Sequence, residues 1–238
     1  MKYPKSAKYD RALLEQKMMG PNPIKLLEEL LIDCPTKPGA KVMDLGSGSG
    51  LTSIFLAKEY SFCVVAADLW SEPSDNDAFF SKMGLSRNQI YAVKADALSL
   101  PFESETFDAI VSIDSFHYFA NEAKIVEEKI VPFVKKGGYI YIAVPGFVKD
   151  FGDETPQLFR LGWSDEELAM IHDVSYWKRL MSSVNGVEII SVHEMVSNQE
   201  VWQDWLACDN EYAAADKIIM DEGAAPYLNF IGMILKRI

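Results

Sequence analysis

The sequence predicts an α/β protein built on a doubly wound, mostly parallel sheet. Two observations carry this. Strand-like and helix-like segments alternate from residue 40 to residue 146, and the strand-like segments are apolar throughout. Apolar strands separated by helices are the mark of βαβ units whose sheet is covered on both faces. A third observation sets the extent. The chain has 238 residues and no linker-like stretch, so it reads as one domain over 1–238. Within it, 1–34 is an N-terminal helical segment and 40–146 is the core. Residues 147–186 form a cap insertion and a helix, and 187–238 hold closing strands and a helix.

The elements follow in order. Residues 1–20 are polar and slightly basic, and Gly20-Pro21-Asn22-Pro23 breaks the chain. Ile24, Leu27, Leu30 and Leu31 sit at helical spacing in 24–33. Residues 41–45 are a short apolar strand, followed by a run of Gly and Ser and then a helix over 51–60. Residues 62–67 are β-branched and apolar, a second strand ended by Asp68. A capped helix over 74–83 precedes a third strand at 90–93. The fourth strand is 107–113, and a helix over 121–134 stops at Lys135-Lys136-Gly137-Gly138. The fifth strand, 139–144, closes at Pro145-Gly146. Beyond it the alternation breaks, and 147–172 reads as an insertion over one end of the sheet. A helix at 175–185, a strand at 187–196, a helix at 200–222 and a closing strand at 228–238 complete seven strands.

Composition excludes several classes. The chain is 49% hydrophobic and 24% charged, which suits a globular protein rather than a disordered or fibrous one. Its net charge is -12, which repels phosphate backbones and anionic lipid, so no nucleic-acid or membrane partner is expected. Cys34, Cys63 and Cys208 are scattered, which favours a reducing cytoplasm over a disulfide scaffold. No signal core opens the chain and no apolar run reaches bilayer length. His117, His172 and His193 lack ligand spacing, so no metal is expected.

Function begins at Val42-Met43-Asp44-Leu45-Gly46-Ser47-Gly48-Ser49-Gly50, which ends a strand and opens a helix. Glycines there allow a tight turn and close approach of a ligand to a helix N-terminus. Asp44 suits a ligand with a positive amino group and opposes a pyrophosphate. Asp68 ends the second strand, 18 residues after Gly50, where an acid can accept ribose hydroxyls. Asp96, in Lys94-Ala95-Asp96-Ala97 after the third strand, is placed to meet an adenine amine. Any one of these acids reads equally well as a solvated turn residue. Three at successive strand ends behind one Gly-rich turn are harder to explain that way. A nicotinamide dinucleotide is the weaker alternative, because Leu51 stands where its turn needs glycine.

The order of these segments resembles the class I S-adenosylmethionine (SAM)-dependent methyltransferases of the small-molecule kind. The resemblance is carried by the 42–50 turn, Ala66-Ala67-Asp68-Leu69, and Ala95-Asp96-Ala97-Leu98-Ser99-Leu100-Pro101-Phe102. Phe107-Asp108-Ala109-Ile110-Val111-Ser112 and Phe133-Val134-Lys135-Lys136-Gly137-Gly138 extend it over about 100 residues. Ser47 stands where the family commonly has Cys. The resemblance implies a Rossmann-like seven-stranded sheet with an antiparallel closing strand, 40–146 being its SAM-binding core. It implies methyl transfer to a small-molecule acceptor by in-line displacement, with S-adenosylhomocysteine as product. It also implies the cofactor contacts. Asp44 lies near the methionine amino group, and Gly46, Ser47, Gly48 and Gly50 pack on the methionine moiety. Asp68 holds the ribose, Leu69 and Trp70 flank the adenine, Asp96 and Ala97 read its edge, and Ile113 and Asp114 floor the sulfonium.

For the acceptor side, His117 follows the fourth strand, and an imidazole titrating near neutrality takes a proton there. A capping or core histidine is the equal alternative. Tyr118 is core or rim. Tyr9, Met18, Met19 and Asn22 either fold over the cofactor or belong to a tail or surface helix. Phe147, Phe151, Phe159, Trp163, Tyr176 and Trp177, with Asp153, Glu154, Asp165 and Glu166, either cage a cationic amine or pack the cap. The helix at 200–222, with Trp202 and Trp205, is expected to carry no chemistry. A monomer or homodimer is expected. Two rival functions share the fold: a non-catalytic SAM-binding or partner protein, and a different SAM-fold group transferase.

Overall fold

The computed structural model describes residues 2–238, apart from the side chain of Asp153. Seven strands form one sheet: β1 (Lys41–Leu45), β2 (Cys63–Asp68), β3 (Ile90–Lys94), β4 (Phe107–Ile113), β5 (Val134–Phe147), β6 (Val187–Glu194) and β7 (Leu228–Arg237). Their order is β3-β2-β1-β4-β5-β7-β6. β1 pairs in parallel with β2 and β4, β2 with β3, and β4 with β5. β7 alone runs antiparallel, between β5 and β6. The expected doubly wound, mostly parallel sheet with an antiparallel closing strand is therefore present. Strand order reverses between β1 and β4, so the loops leaving them part and open a crevice at their carboxyl ends.

The helices are α1 (Arg11–Lys17), α2 (Pro23–Leu30), α3 (Leu51–Tyr60), α4 (Pro73–Lys82), α5 (Ala123–Ile125), α6 (Asp165–Leu168), α7 (Val174–Ser182), α8 (Asn198–Leu206) and α9 (Ala213–Asp221). Strand side chains alternate between two cores. Val42, Val64, Ala109, Val111 and Tyr141 share one core with Leu27 of α2, Ile54 and Phe55 of α3, and Trp205 of α8. Met43, Val65, Ile110 and Ile140 share the other with Val126, Ile130 and Trp177 of α7. Each fully buried Leu or Ile contributes roughly 1.5–3 kcal/mol to holding the layers together. Among the described residues, no helix is long and apolar enough to cross a membrane.

Two expected helices end differently. The 121–134 segment leaves helical geometry after a wide turn at Val126–Ile130. Pro132 brings no N–H to continue it and sits in a short 3₁₀ turn, Val131–Phe133. β5 then begins at Val134 and absorbs the lysines and glycines expected to form a loop. The 200–222 segment is two helices, α8 and α9. Asn210 breaks it by offering side-chain bonds in place of helical ones. Its Oδ1 accepts from Tyr212 N at 2.9 Å, and its Nδ2 donates to the carbonyls of Glu15 and Met18 at 3.2 and 3.0 Å. That break pins the N-terminal segment across the crevice. Asn22 continues the clamp, capping α2 through Lys25 N at 3.3 Å and donating to Asp204 of α8 at 2.7 Å.

Candidate functional site

A cavity of about 460 Å³ lies at the carboxyl ends of β1 to β4, under the segment 17–23. Its floor is the turn after β1. Gly46 N and Ser47 N both donate to Ala67 O, at 2.8 and 3.2 Å, which bends the chain sharply beside β2. Gly46 has φ +76°, and a Cβ there would run into the Ser115 side chain. Only glycine satisfies both constraints. Ser115 lies against it by accepting no alternative: its Oγ donates to Leu45 O at 3.0 Å and meets Ser112 Oγ at 2.8 Å.

Asp68 lines the cavity from the end of β2 and holds its rim. One carboxylate oxygen accepts from Gly48 N at 2.8 Å, the other from Trp70 N and Ser71 N at 2.9 and 2.7 Å. A carboxylate has about four acceptor sites, so one remains for a ligand hydroxyl. Asp96, exposed at the cavity edge, accepts from Leu98 N at 2.8 Å. Leu69, Trp70, Ala97, Leu98 and Ile113 add apolar wall. Trp70 is 74% exposed and meets Tyr118 edge-on, with centroids 6.3 Å apart.

Asp114 sits where this cavity meets a second one of about 290 Å³. Its φ is +56°, left-handed for a residue with a side chain, and its N–H is fixed on Ala143 O at 2.8 Å. Such strain persists only where the surroundings impose it. Gly20 presses on its carboxylate so closely that a Cβ at 20 would collide with Oδ2. Burial, then the charge of Asp216, pushes the Asp114 carboxyl up to about 8.

The second cavity is lined by Asp114, His117 and Tyr118, by Trp163, Glu167 and Ile171 of the cap, and by Trp202, Tyr212, Asp216 and Phe230. Asp216 of α9 is held by two indoles. Trp163 Nε1 donates to one oxygen at 2.7 Å and Trp205 Nε1 to the other at 2.8 Å. Burial raises its carboxyl, and the two indole bonds oppose that. His117 is buried, packs at a tilt against Tyr118 with centroids 4.1 Å apart, and has an unpartnered Nδ1 among the described residues. Burial, helped by His172, lowers its imidazole to about 3. It is therefore neutral, a hydrogen-bonding group rather than the near-neutral proton acceptor expected.

The two cavities gather most of the expected residues: Gly46, Ser47, Gly48, Asp68, Leu69, Trp70, Asp96, Ala97, Ile113, Asp114, His117, Tyr118 and Trp163. Others lie elsewhere. Asp44 and Gly50 do not line either cavity. Asp44 is buried behind the turn, where one oxygen accepts from Thr52 Oγ1 and Ser53 Oγ at 2.7 and 2.5 Å. It fastens β1 to the first turn of α3, and burial raises it to about 6 against those bonds. Tyr9 packs on Phe55 at 5.6 Å, and Met18 is buried in the core, so Met19 faces the crevice in its place. Asn22 is spent on capping α2 and on Asp204. Phe147 packs edge-on to Phe151 and Phe159 in the cap, and Trp177 is buried in the opposite core with Phe116. Of the expected acids in the insertion, Asp165 pairs with Arg160 at 2.7 Å, Glu154 does not line the cavity, and Glu166 is exposed. The side chain of Asp153 lies outside the described residues.

Met19, expected in the N-terminal segment over the site, roofs both cavities; sequence reasoning missed Gly20 and Pro21 beside it, and Glu167, Trp202, Tyr212 and Asp216. A signal for Asp216 was present: a lone carboxylate on the same helical face as buried Ala213 and Ile219. Among the described residues no group of three His, Cys, Asp or Glu is suited to hold a metal. The fit to SAM rests on the turn and its neighbours. Ser47 Oγ is buried at the cavity without a partner, Asp68 keeps acceptor capacity, and Trp70 offers an aromatic face.

Comparison with known proteins agrees. Residues 43–142 match the family described as "Methyltransferase domain". Norajmaline N-methyltransferase of Rauvolfia serpentina is 29% identical over 101 residues, 42% of this chain and 34% of that protein. Sarcosine/dimethylglycine N-methyltransferase of Aphanothece halophytica is 28% identical over 104 residues, 43% of this chain and 37% of that protein. These matches thus take in little more than a third of each relative. The solved structure of a geranyl diphosphate methyltransferase in complex with SAM superimposes with a TM-score of 0.70 at 15% identity. It covers 91% of this chain and 86% of that one, a likeness of fold. Over residues 43–142, a span that holds the β1 turn, Asp68 and Asp96, the chain is similar to that methyltransferase domain.

Proposed function

We propose that this protein transfers the methyl group of SAM to a small molecule seated in the second cavity. The observation that carries the reading is the junction of the two cavities at Asp114 and Tyr118. One cavity has the turn and acids suited to the cofactor, and the other opens from it at these two residues, beneath the roof at 19–21. When bound, SAM supplies a methyl carbon already activated by a sulfonium. The chain's own residues then have two tasks, positioning the acceptor and removing its water. Gly46, Ser47 and Gly48 form the bed for the methionine moiety. Asp68 takes a ribose hydroxyl, Leu69 and Trp70 cover the adenine, and Asp96 and Ala97 meet its edge. Asp44 acts behind them, holding β1 to α3. Met19, Gly20 and Pro21 roof the junction and keep water out. His117 is a neutral hydrogen-bond partner for the acceptor.

The protein works as a single domain in the cytoplasm, as a monomer or homodimer. The net charge of -12 supports an acceptor other than nucleic acid. Calorimetric titration with SAM and with S-adenosylhomocysteine tests the first half of the reading. Saturable binding of both is expected, and binding of neither would sink it. A metabolite screen for radiolabelled methyl transfer tests the second half.

A further inference from the structure

The second cavity is charged in one sense only. It presents the carboxyl groups of Asp114, Glu167 and Asp216, and among the described residues no lysine or arginine lines it. The one histidine there, His117, is buried and neutral. The three acids are not equivalent. Glu167 is occupied by the cap of α6, accepting from Ser164 N and Oγ at 2.7 and 2.8 Å. Asp216 is held in place by the two indoles but meets no cation. Among the described residues nothing donates to the Asp114 side chain. Both acids are partly buried, and the protein sets no cation beside them; a cation entering the cavity would favour their ionised forms. Aromatic rings supply the walls: Trp163, Trp202, Tyr212 and Tyr118. Aromatic faces beside carboxylates attract organic cations.

A separate observation points to a ligand. Trp202 Nε1 and His117 Nδ1 are buried with no partner, on residues that are only 6% and 5% exposed and that line this cavity. Buried polar atoms of this kind are ordinarily satisfied, and an indole N–H in particular needs an oxygen to receive it.

We infer that the second cavity takes a small cationic amine that bears no acidic group, held between Asp114 and Asp216 and walled by Trp163, Trp202 and Tyr212. The inference rests on the methyl-transfer reading above and narrows its acceptor. A phosphate or carboxylate on the acceptor would meet two acids and find no cation. An amine arriving protonated first gives its proton to water. Its nitrogen lone pair then forms the N–C bond while the S–C bond breaks, and that electron pair stays on sulfur. The positive charge passes from sulfonium to ammonium, so the product keeps its attraction to both acids.

The test is competitive and needs no knowledge of the natural acceptor. The protein loaded with S-adenosylhomocysteine is titrated with choline, with 3,3-dimethylbutan-1-ol, and with phosphocholine. The alcohol keeps the shape and hydroxyl of choline without its charge, and phosphocholine adds an anion. Choline is expected to bind at least about tenfold more tightly than either. Asp216→Asn and, separately, Asp114→Asn should erase most of that preference. Asp216→Asn should leave S-adenosylhomocysteine affinity within about twofold, because Asp216 lies outside the cofactor cavity. If the neutral alcohol or phosphocholine binds as well as choline, the inference is overturned while the methyl-transfer reading stands. If the protein fails to bind S-adenosylhomocysteine at all, both fall.

Discussion

The two cavities that meet at Asp114 are built on different principles. The cofactor-side cavity is made largely of backbone. Its turn is bent by amide bonds to Ala67 O, and Asp68 is braced by two amides just beyond its own strand and by one, Gly48, in the turn after β1. The acceptor-side cavity is made of side chains from distant parts of the chain: the roof at 19–21, the loop after β4, the cap around Trp163 and Glu167, and α8 and α9. A site built of backbone resists change in its side chains but not in its glycines. A site built of side chains can change its ligand one residue at a time. That difference explains how one cofactor core serves many acceptors.

Gly46→Ala should separate the two principles most sharply. The methyl group enters a left-handed position against Ser115, and strain plus overpacking should cost about 2–5 kcal/mol. Thermal melting and S-adenosylhomocysteine titration should both show it, and a variant with wild-type affinity would break the backbone account. Asp68→Ala comes next. It strands the amides of Gly48, Trp70 and Ser71, and losing about 1–3 kcal/mol of ligand positioning weakens S-adenosylhomocysteine about 10- to 100-fold. Unchanged affinity would mean the ribose lies elsewhere.

The acceptor side is read through pH. Asp114 is raised to about 8 by burial and by Asp216, so the folded protein holds a proton that the unfolded chain releases near pH 4. Its stabilising contribution is complete below pH 4 and is lost as pH rises to about 8. His117 acts in the opposite sense, because its depressed imidazole costs stability only below about pH 6.5. Between pH 6.5 and 8.5 the ligand-free protein should therefore lose melting temperature, by about 2–4 °C per kcal/mol. Asp114→Asn should flatten the slope over that window. An equal slope in the variant would remove Asp114 as its source. The smallest effect is expected from Trp70→Ala. Its ring is mostly exposed, so stability should hold while S-adenosylhomocysteine binding weakens about 3- to 10-fold through lost stacking.

The cofactor side was legible because each of its residues is tied to the end of a strand by local sequence alone. Gly46, Gly48, Asp68 and Asp96 each follow a strand that its own apolar pattern identifies, and parallel strands place their ends side by side. Asp44 was legible as important but not as to why. Its position before the turn is clear from sequence, whereas its bonds to Thr52 and Ser53 depend on how α3 folds back. The acceptor side was not legible. Asp216 is one acid in a helix expected to be inert, and Trp177, expected in the site, lies in the opposite core. Helical or strand period says that a residue is buried, not which of two cores receives it. Asn210 decided the break between α8 and α9 by bonding to residues almost 200 positions away.

The sequence by itself determined the sheet, its parallel core, the turn after β1 and the two cavity acids, one ending β2 and one just beyond β3. These follow from local pattern, glycine conformation and the rule that ligands meet parallel sheets at their carboxyl ends. Tertiary structure alone decided which side chains meet beyond Asp114. Burial and long-range packing left Asp114 and Asp216 facing a common space without a cation and made His117 neutral, because charge states depend on neighbours that the chain brings together only when folded.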